Sequence, residues 1–493
     1  MSLSTLAARG AVVTIGVQGA RFVVQFAGLI VLGRILAPSD FGLVAMVTAV
    51  IGVGDIIREF GLVPATVQAT SISRPQRSNL FWLNTGLGLL VAAAVFFASP
   101  LFSLIYDDKR VSEIALVLSL TFIFGGLQTQ FQAGLAREMR FTALSITDLA
   151  AQVVGLGSAV IAAVLGLGYW ALVIQLGLQS FSLLVFRVSA AQWLPGLPTK
   201  KASIRKLVVY GRSLVMTQVL VYASSNIDSL IIGARFGPAQ LGYYNRGFQL
   251  LMMPLNQILT PLTAVALPVL SRINEETIRF NGYIRRAQIL VAYPTVLLFA
   301  TVSAAIEPLI RLVFGEQWLP SAAIFQVLSL AGAFQAIGYV SYWVFLSKGL
   351  TASHFRFSLI SRSILIICIV VGSAWGPIGI AAGYSFGAVA SWPLALLWLR
   401  GVAQIEVAPL FLGGLRAAIL GMLCFCSGSV LQHFGRDLED PLAIAVVVAG
   451  ALAGAALLLI LPTFRRDFVA ILATIKLVVS RKRTEATLKE GAF

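Results

Sequence analysis

Apolar stretches long enough to cross a bilayer follow one another along this chain, joined by connections too short to hold a domain. A membrane-spanning helix takes about 20 mostly apolar residues. On that basis about fourteen spans are expected, at 11–33, 41–57, 80–105, 112–135, 143–165, 168–188, 207–232, 240–268, 287–306, 322–346, 357–375, 377–399, 409–431 and 441–462. The second closes on the polar run Asp55-Ile56-Ile57-Arg58-Glu59, and the eighth is long and polar. Only 11% of the residues are charged, against about 25% in soluble domains. The expected fold class is therefore an all-α polytopic membrane protein.

Several chemistries are excluded early. Cys368, Cys424 and Cys426 lie in apolar runs away from His354 and His433, so neither a metal site nor a disulfide framework is expected. No G-x-x-x-x-G-K-[ST] loop occurs, which removes ATP hydrolysis of that type, and no cofactor is expected. Arg9, a long run broken by Arg21 and the lack of a small-residue cleavage site favour a retained first helix over a signal peptide.

The charge is lopsided, with 36 Lys and Arg against 20 Asp and Glu, a net +16. Cytoplasmic loops of membrane proteins concentrate Lys and Arg. With the N-terminus placed in the cytoplasm, one set of loops and tails holds about 25 of the 36. The other set holds Arg34, Lys109, Arg110, Arg235, Arg311 and Arg436. This predicts cytoplasmic N- and C-termini and makes the basicity a matter of leaflet sidedness, not of nucleic acid.

Gly33-Arg34-Ile35-Leu36-Ala37-Pro38-Ser39-Asp40-Phe41-Gly42 resembles Gly233-Ala234-Arg235-Phe236-Gly237-Pro238-Ala239-Gln240-Leu241-Gly242 at an offset of 200 residues, and Gln18 matches Gln218. Both segments join the first two helices of a six-helix set. An even number of spans per copy gives parallel repeats, with a substrate site near the midplane between two bundles. The expected division is a six-helix bundle at 1–200, a second at 201–405, two further helices at 406–462 and a basic amphipathic tail at 463–493. In that tail Phe464, Phe468, Ile471, Ile475 and Val478 recur at helical spacing among Arg465, Arg466, Lys476 and Arg481-Lys482-Arg483, the pattern of a helix lying on an anionic leaflet.

Ionisable groups inside spans are expensive and usually functional. Thr14, Gln18, Arg21 and Gln25 form one polar stripe on the first helix. Arg21 either faces a cavity or pairs with Asp55 or another acid. On the seventh span Gln218, Tyr222, Ser225 and Ser229 share a face flanked by Asn226 and Asp228; the eighth carries Arg246, Gln249, Asn256 and Gln257, with Pro254 and Pro261. Arg246 is either an interfacial anchor or a site residue. Gln128 with Gln132, Asp148 with Gln152, and Gln175 with Gln179 read first as interhelical hydrogen-bonding groups. Arg212, Arg362 and Arg416 lie near cytoplasmic ends, and Asp55, Arg58 and Glu59 could satisfy one another. The excess of buried cations suits an anionic solute, since arginine grips phosphate with two prongs.

The segment 32–42, the stretch with Asp55 and Glu59-Phe60-Gly61-Leu62, and the second copy from Asp228 to Gly237 with Leu241-Gly242-Tyr243-Tyr244 resemble the Wzx-type polysaccharide flippases of the multidrug/oligosaccharidyl-lipid/polysaccharide exporter superfamily. The resemblance implies two six-helix bundles plus two extra helices. It also implies transfer of an undecaprenyl-pyrophosphate-linked oligosaccharide across the bacterial inner membrane, with a polymerase and export machinery as downstream partners. The first, second, seventh and eighth helices line that family's cavity, which makes Arg21, Asp228 and Arg246 the leading substrate-site residues and Arg58 a lesser one. Gln18, Gln25, Gln218, Asn226 and Gln249 accompany them. Asp55, Asp148 or Asp228 could bind a coupling proton or sodium ion, or the substrate gradient could suffice. A lipid II flippase is not separated from this reading by sequence. A multidrug or cation exporter would want a more acidic cavity. A glycosyltransferase or polymerase would want more than Glu307, Arg311 and Glu316 in the longest outer loop.

Overall fold

The computed structural model describes residues 3–200, 202–435 and 437–473. Lys201, Arg436, Ile475, Lys476, Val478 and Arg481-Lys482-Arg483 lie outside the described residues, as do the side chains of Arg9 and Thr14. Among the described residues all regular structure is helical. In chain order the helices are α1 (Leu3–Ile35), α2 (Pro38–Glu59), α3 (Leu62–Gln68), α4 (Arg74–Tyr106), α5 (Lys109–Arg137), α6 (Phe141–Val164), α7 (Trp170–Ala191), α8 (Arg205–Ser225), α9 (Ile227–Arg272), α10 (Thr277–Ala304), α11 (Ile306–Val313), α12 (Pro320–Ser347), α13 (Thr351–Gly372), α14 (Gly376–Val402), α15 (Val407–Phe434), α16 (Asp440–Leu458) and α17 (462–473).

Among the described residues twelve helical stretches are long and apolar enough to cross a membrane, and two of them, Gln218–Arg272 and Thr351–Val402, are of double length. The first turns at Gly237, whose φ of 82° suits glycine, and the second turns between α13 and α14. Taken as two passes each, they account for the fourteen expected spans. Outward-facing Phe97, Leu104, Ile161, Leu165, Met422 and Ile460 are exposed, as a lipid-facing surface must be.

Two spans are interrupted, and both interruptions have local causes. α2 stops where Phe60 and Gly61 turn left-handed, and α3 then completes the pass. Interrupted helices leave carbonyls that something buried has to satisfy. Asn84, fully buried on α4, donates to the carbonyls of Arg58 and Glu59 at 3.1 and 3.3 Å, and Gln130 on α5 donates to Asn84 Oδ1 at 2.9 Å. The seventh span breaks between α8 and α9, where the Asn226 side chain donates to the carbonyl of Tyr222 at 2.9 Å.

The sequence repeat has a packing counterpart. Pro38 and Pro238 each start a helical run directly after a turn, the position at which proline's missing N–H costs nothing. Gly42 seats against the carbonyl of Pro238, and Gly242 seats against the carbonyl of Pro38. A methyl group at either glycine would strike the opposing backbone. Each copy thus supplies the glycine for the other's proline, a reciprocal seam.

Contacts divide the chain into two compact units, residues 1–245 and 246–493, with the boundary inside α9. The first is built on α4 against α5, α6 against α7 and α1 against α6. The second is built on α10 against α12 and α15, α13 against α14 and α15 against α16. α17 belongs to the second unit and is docked by more than its apolar side. Phe464 and Ile471 are buried, and the Asp467 carboxylate accepts a hydrogen bond from the Tyr293 hydroxyl of α10 and pairs with Arg416 of α15, both at 2.7 Å.

Candidate functional site

The first unit holds a charged cluster inside its apolar helices. Asp148 on α6 offers one oxygen to Arg21 of α1 at 3.1 Å and the other to Arg187 of α7 at 2.8 Å. Arg187 is 5% exposed and also donates to Gln132 at 2.9 Å and to Gln128, one turn apart on α5. Gln152, one turn from Asp148, donates to the backbone carbonyl of Arg21 at 3.3 Å. Four helices are thereby tied through one carboxylate. Arg21 keeps 36% of its side chain exposed, and Gln18 and Gln25 on the same stripe are exposed as well.

Arg58 is the neighbouring cation. It pairs with Asp55 one turn back at 3.2 Å and donates to Thr129 of α5 at 3.0 Å. Its guanidinium occupies the space a side chain at Gly125 would need, so the glycine makes the slot. Arg21, Arg58 and Arg187 against Asp55 and Asp148 leave one positive charge in surplus.

Asp228 sits apart from this cluster, at the first turn of α9 and 3% exposed. It accepts from the Tyr244 hydroxyl and from the Ser229 backbone N–H, both at 2.7 Å, and among the described residues no cation pairs with it. Ser229 in turn donates to Asn245 at 3.3 Å. On α8, Tyr222 donates to the carbonyl of Thr48 at 3.0 Å, while Gln218 is exposed.

In the second unit Arg246 is 3% exposed, which removes the interfacial-anchor reading. Its guanidinium lies 4.3 Å from the Trp318 ring centroid and 5.0 Å from that of Phe314, and it donates to Gln249 at 3.4 Å. Rings in this position attract a cation through their faces.

The structure thus joins Arg21 to Asp148 and Arg58 to Asp55, and leaves Asp228 in a cluster of neutral groups. Arg187 was missed from sequence because it sits towards the end of its span, where an arginine reads as a sidedness signal. The clue was the Gln128/Gln132 pair with Asp148, three polar positions on helices adjacent to its own. Arg416 reads from sequence only as a residue near the end of a span, and its partner Asp467 lies beyond the last span.

A family model described as polysaccharide biosynthesis protein matches residues 31–323. The lipopolysaccharide biosynthesis protein WzxC of Escherichia coli (strain K12) is 26% identical over 72% of this chain and 73% of its own length. The teichuronic acid biosynthesis protein TuaB of Bacillus subtilis (strain 168) is also 26% identical, over 80% of this chain and 83% of its own. Among solved structures, the lipid II flippase MurJ in an inward closed conformation superimposes with a TM-score of 0.70 at 13% identity, over 93% of this chain and 100% of that one. At that identity the likeness is one of fold.

Proposed function

The chain belongs to the polysaccharide biosynthesis protein family, the Wzx-type flippases, and we propose that it carries an undecaprenyl-pyrophosphate-linked oligosaccharide across the inner membrane for polysaccharide export. The observation that carries this reading is the surplus cation of the Arg21–Asp148–Arg187 cluster with Arg58, held inside apolar helices. Arginine meets pyrophosphate through paired, charge-assisted hydrogen bonds. Arg21, partly exposed and flanked by Gln18 and Gln25, is the member positioned to reach it. Arg246 and Gln249 form the cationic element of the second unit.

Transport proceeds by alternating access. The six-helix bundles 1–200 and 201–405 rock about the turns at 33–42 and 233–242, while the polyprenyl tail stays in lipid. The reciprocal seating of Gly42 and Gly242 supports a hinge or seal at those turns. The helices of 406–462 and the tail from 463 stand outside the rocking pair. Both termini face the cytoplasm, and the flipped unit passes to a polymerase and export machinery. The protein acts as a transporter and makes or breaks no covalent bond.

Deleting the gene should cause a lipid-linked repeat unit to accumulate on the cytoplasmic leaflet. The wild-type chain should clear it, and an Arg21→Ala chain that still inserts should not. Wild-type export by Arg21→Ala would remove that residue from the site. Accumulation of a cell-wall precursor in place of a polysaccharide repeat would turn the reading toward lipid II.

A further inference from the structure

The first unit carries a second polar feature, on the side where the loop between α3 and α4 meets the start of α8. A cavity of about 650 Å³ opens there, within the range of small-molecule sites. Gln68, Thr70, Ser71, Gln76, Ser203, Lys206 and Tyr210 supply its polar lining, and among the described residues no carboxylate lines it.

Its walls are built to persist. The linker between α7 and α8 is stitched to α4 by side chains. Asn79 donates to the carbonyls of Thr199 and Ala202, both at 2.8 Å, and Gln76 donates to that of Ser203 at 3.0 Å. Trp82 donates to the Gly196 carbonyl at 2.9 Å, and Ser78 accepts from the Gly196 N–H at 3.0 Å. On the opposite wall the Arg137 guanidinium holds the carbonyls of Thr66, Ala69 and Thr70 at the end of α3. Gly211 lets α8 press against the Phe60 carbonyl, which sets Lys206 and Tyr210 beside α3. A pocket fixed in this way spends little ordering entropy on binding.

We propose that this cavity is a docking site for the sugar rings of the transported glycan, separate from the arginine cluster. The inference rests on the flippase reading and adds a subsite to it. Hydroxyls, amides and a phenol can each donate and accept, which suits the alternating hydroxyls of a saccharide. Tyr210 adds an amphipathic face. One ammonium without an arginine is a poor match for pyrophosphate, whose chemistry fits the intramembrane guanidiniums instead.

The test uses the full-length protein in detergent, with Cys368, Cys424 and Cys426 replaced by alanine. Single Ser71→Cys and Ser203→Cys chains would be labelled with a maleimide. Ile278→Cys, at an exposed position on α10, is the control. The probes are oligosaccharides from partial hydrolysis of the host's own surface polysaccharide, and inorganic pyrophosphate. We expect the oligosaccharides to slow labelling at positions 71 and 203 at least threefold and leave position 278 unchanged, with pyrophosphate inert. Adding Gln68→Ala and Tyr210→Ala should abolish the protection. Unchanged labelling at 71 and 203, equal slowing at 278, or protection by pyrophosphate would each overturn the proposal. Failure here leaves the accumulation phenotype of the deletion strain untouched, so the two readings fall separately.

Discussion

Asp148 has both oxygens engaged by guanidiniums, and that double use decides what its loss would do. Removing one partner of a buried ion pair strands the other, at a cost of about 3–5 kcal/mol. Asp148→Asn should therefore lower stability by about 3 kcal/mol, because Arg187 is nearly inaccessible to water. Adding Arg187→Gln to Asp148→Asn should recover part of that loss. Chemical unfolding of the purified chains in detergent reads both numbers, and additive losses would mean the two side chains are not coupled. Asp228 behaves differently, because its contacts are a phenol, a backbone N–H and no cation among the described residues. We propose Asp228 as the acid that exchanges a coupling ion, because Asp55 and Asp148 each pair with an arginine. Export by Asp228→Asn should fall at least tenfold and lose its response to the ion gradient, measured in inverted vesicles. Wild-type export by that variant would hand the coupling to another group or to the substrate gradient.

At the scale of elements, the reciprocal seam makes a sharper demand than any side chain in it. Gly42 and Gly242 each meet a backbone carbonyl, which cannot rotate away. Gly42→Ala and Gly242→Ala should each reduce export severely while the protein still inserts, and Gly86→Ala and Gly157→Ala, which face open space, should not. Export assays with quantified membrane protein separate these outcomes; normal export by both seam variants would show that the close approach is dispensable. The seam was legible in the sequence as a repeat of Gly, Pro and Gly, because a backbone-to-backbone contact needs glycine whatever else changes. The helices were legible for a similar reason: about 20 apolar residues in lipid have few alternatives. The charged cluster was only half legible. Arg21 stands out against an apolar helix, but its partners lie 127 residues away on α6 and, through Asp148, on α7. No local spacing records a contact of that kind. The cavity beside α8 was not legible at all, since its walls come from a loop, a linker and a helix start that look like ordinary connections.

On the scale of the whole molecule, sidedness and the tail are linked. The excess of Lys and Arg in one set of loops argues that α17 meets the cytoplasmic leaflet, and basic residues attract anionic lipid there. Yet α17 is also fastened to its own unit through Asp467, Tyr293 and Arg416. These two attachments can be separated by protease. Trypsin cuts after arginine, and Arg465 and Arg466 lie in the first turns of α17, exposed to solvent. Cleavage there should occur in inverted vesicles and not in spheroplasts, because only the former expose the cytoplasmic face. Asp467→Asn removes the carboxylate charge that balances half-buried Arg416, so α17 should open more often and cleavage should quicken severalfold in the same vesicles. Cleavage in spheroplasts would place the C-terminus outside and reverse the orientation of every loop. Cleavage in inverted vesicles at an unchanged rate in Asp467→Asn would show that the bilayer, and not the ion pair, holds α17 in place.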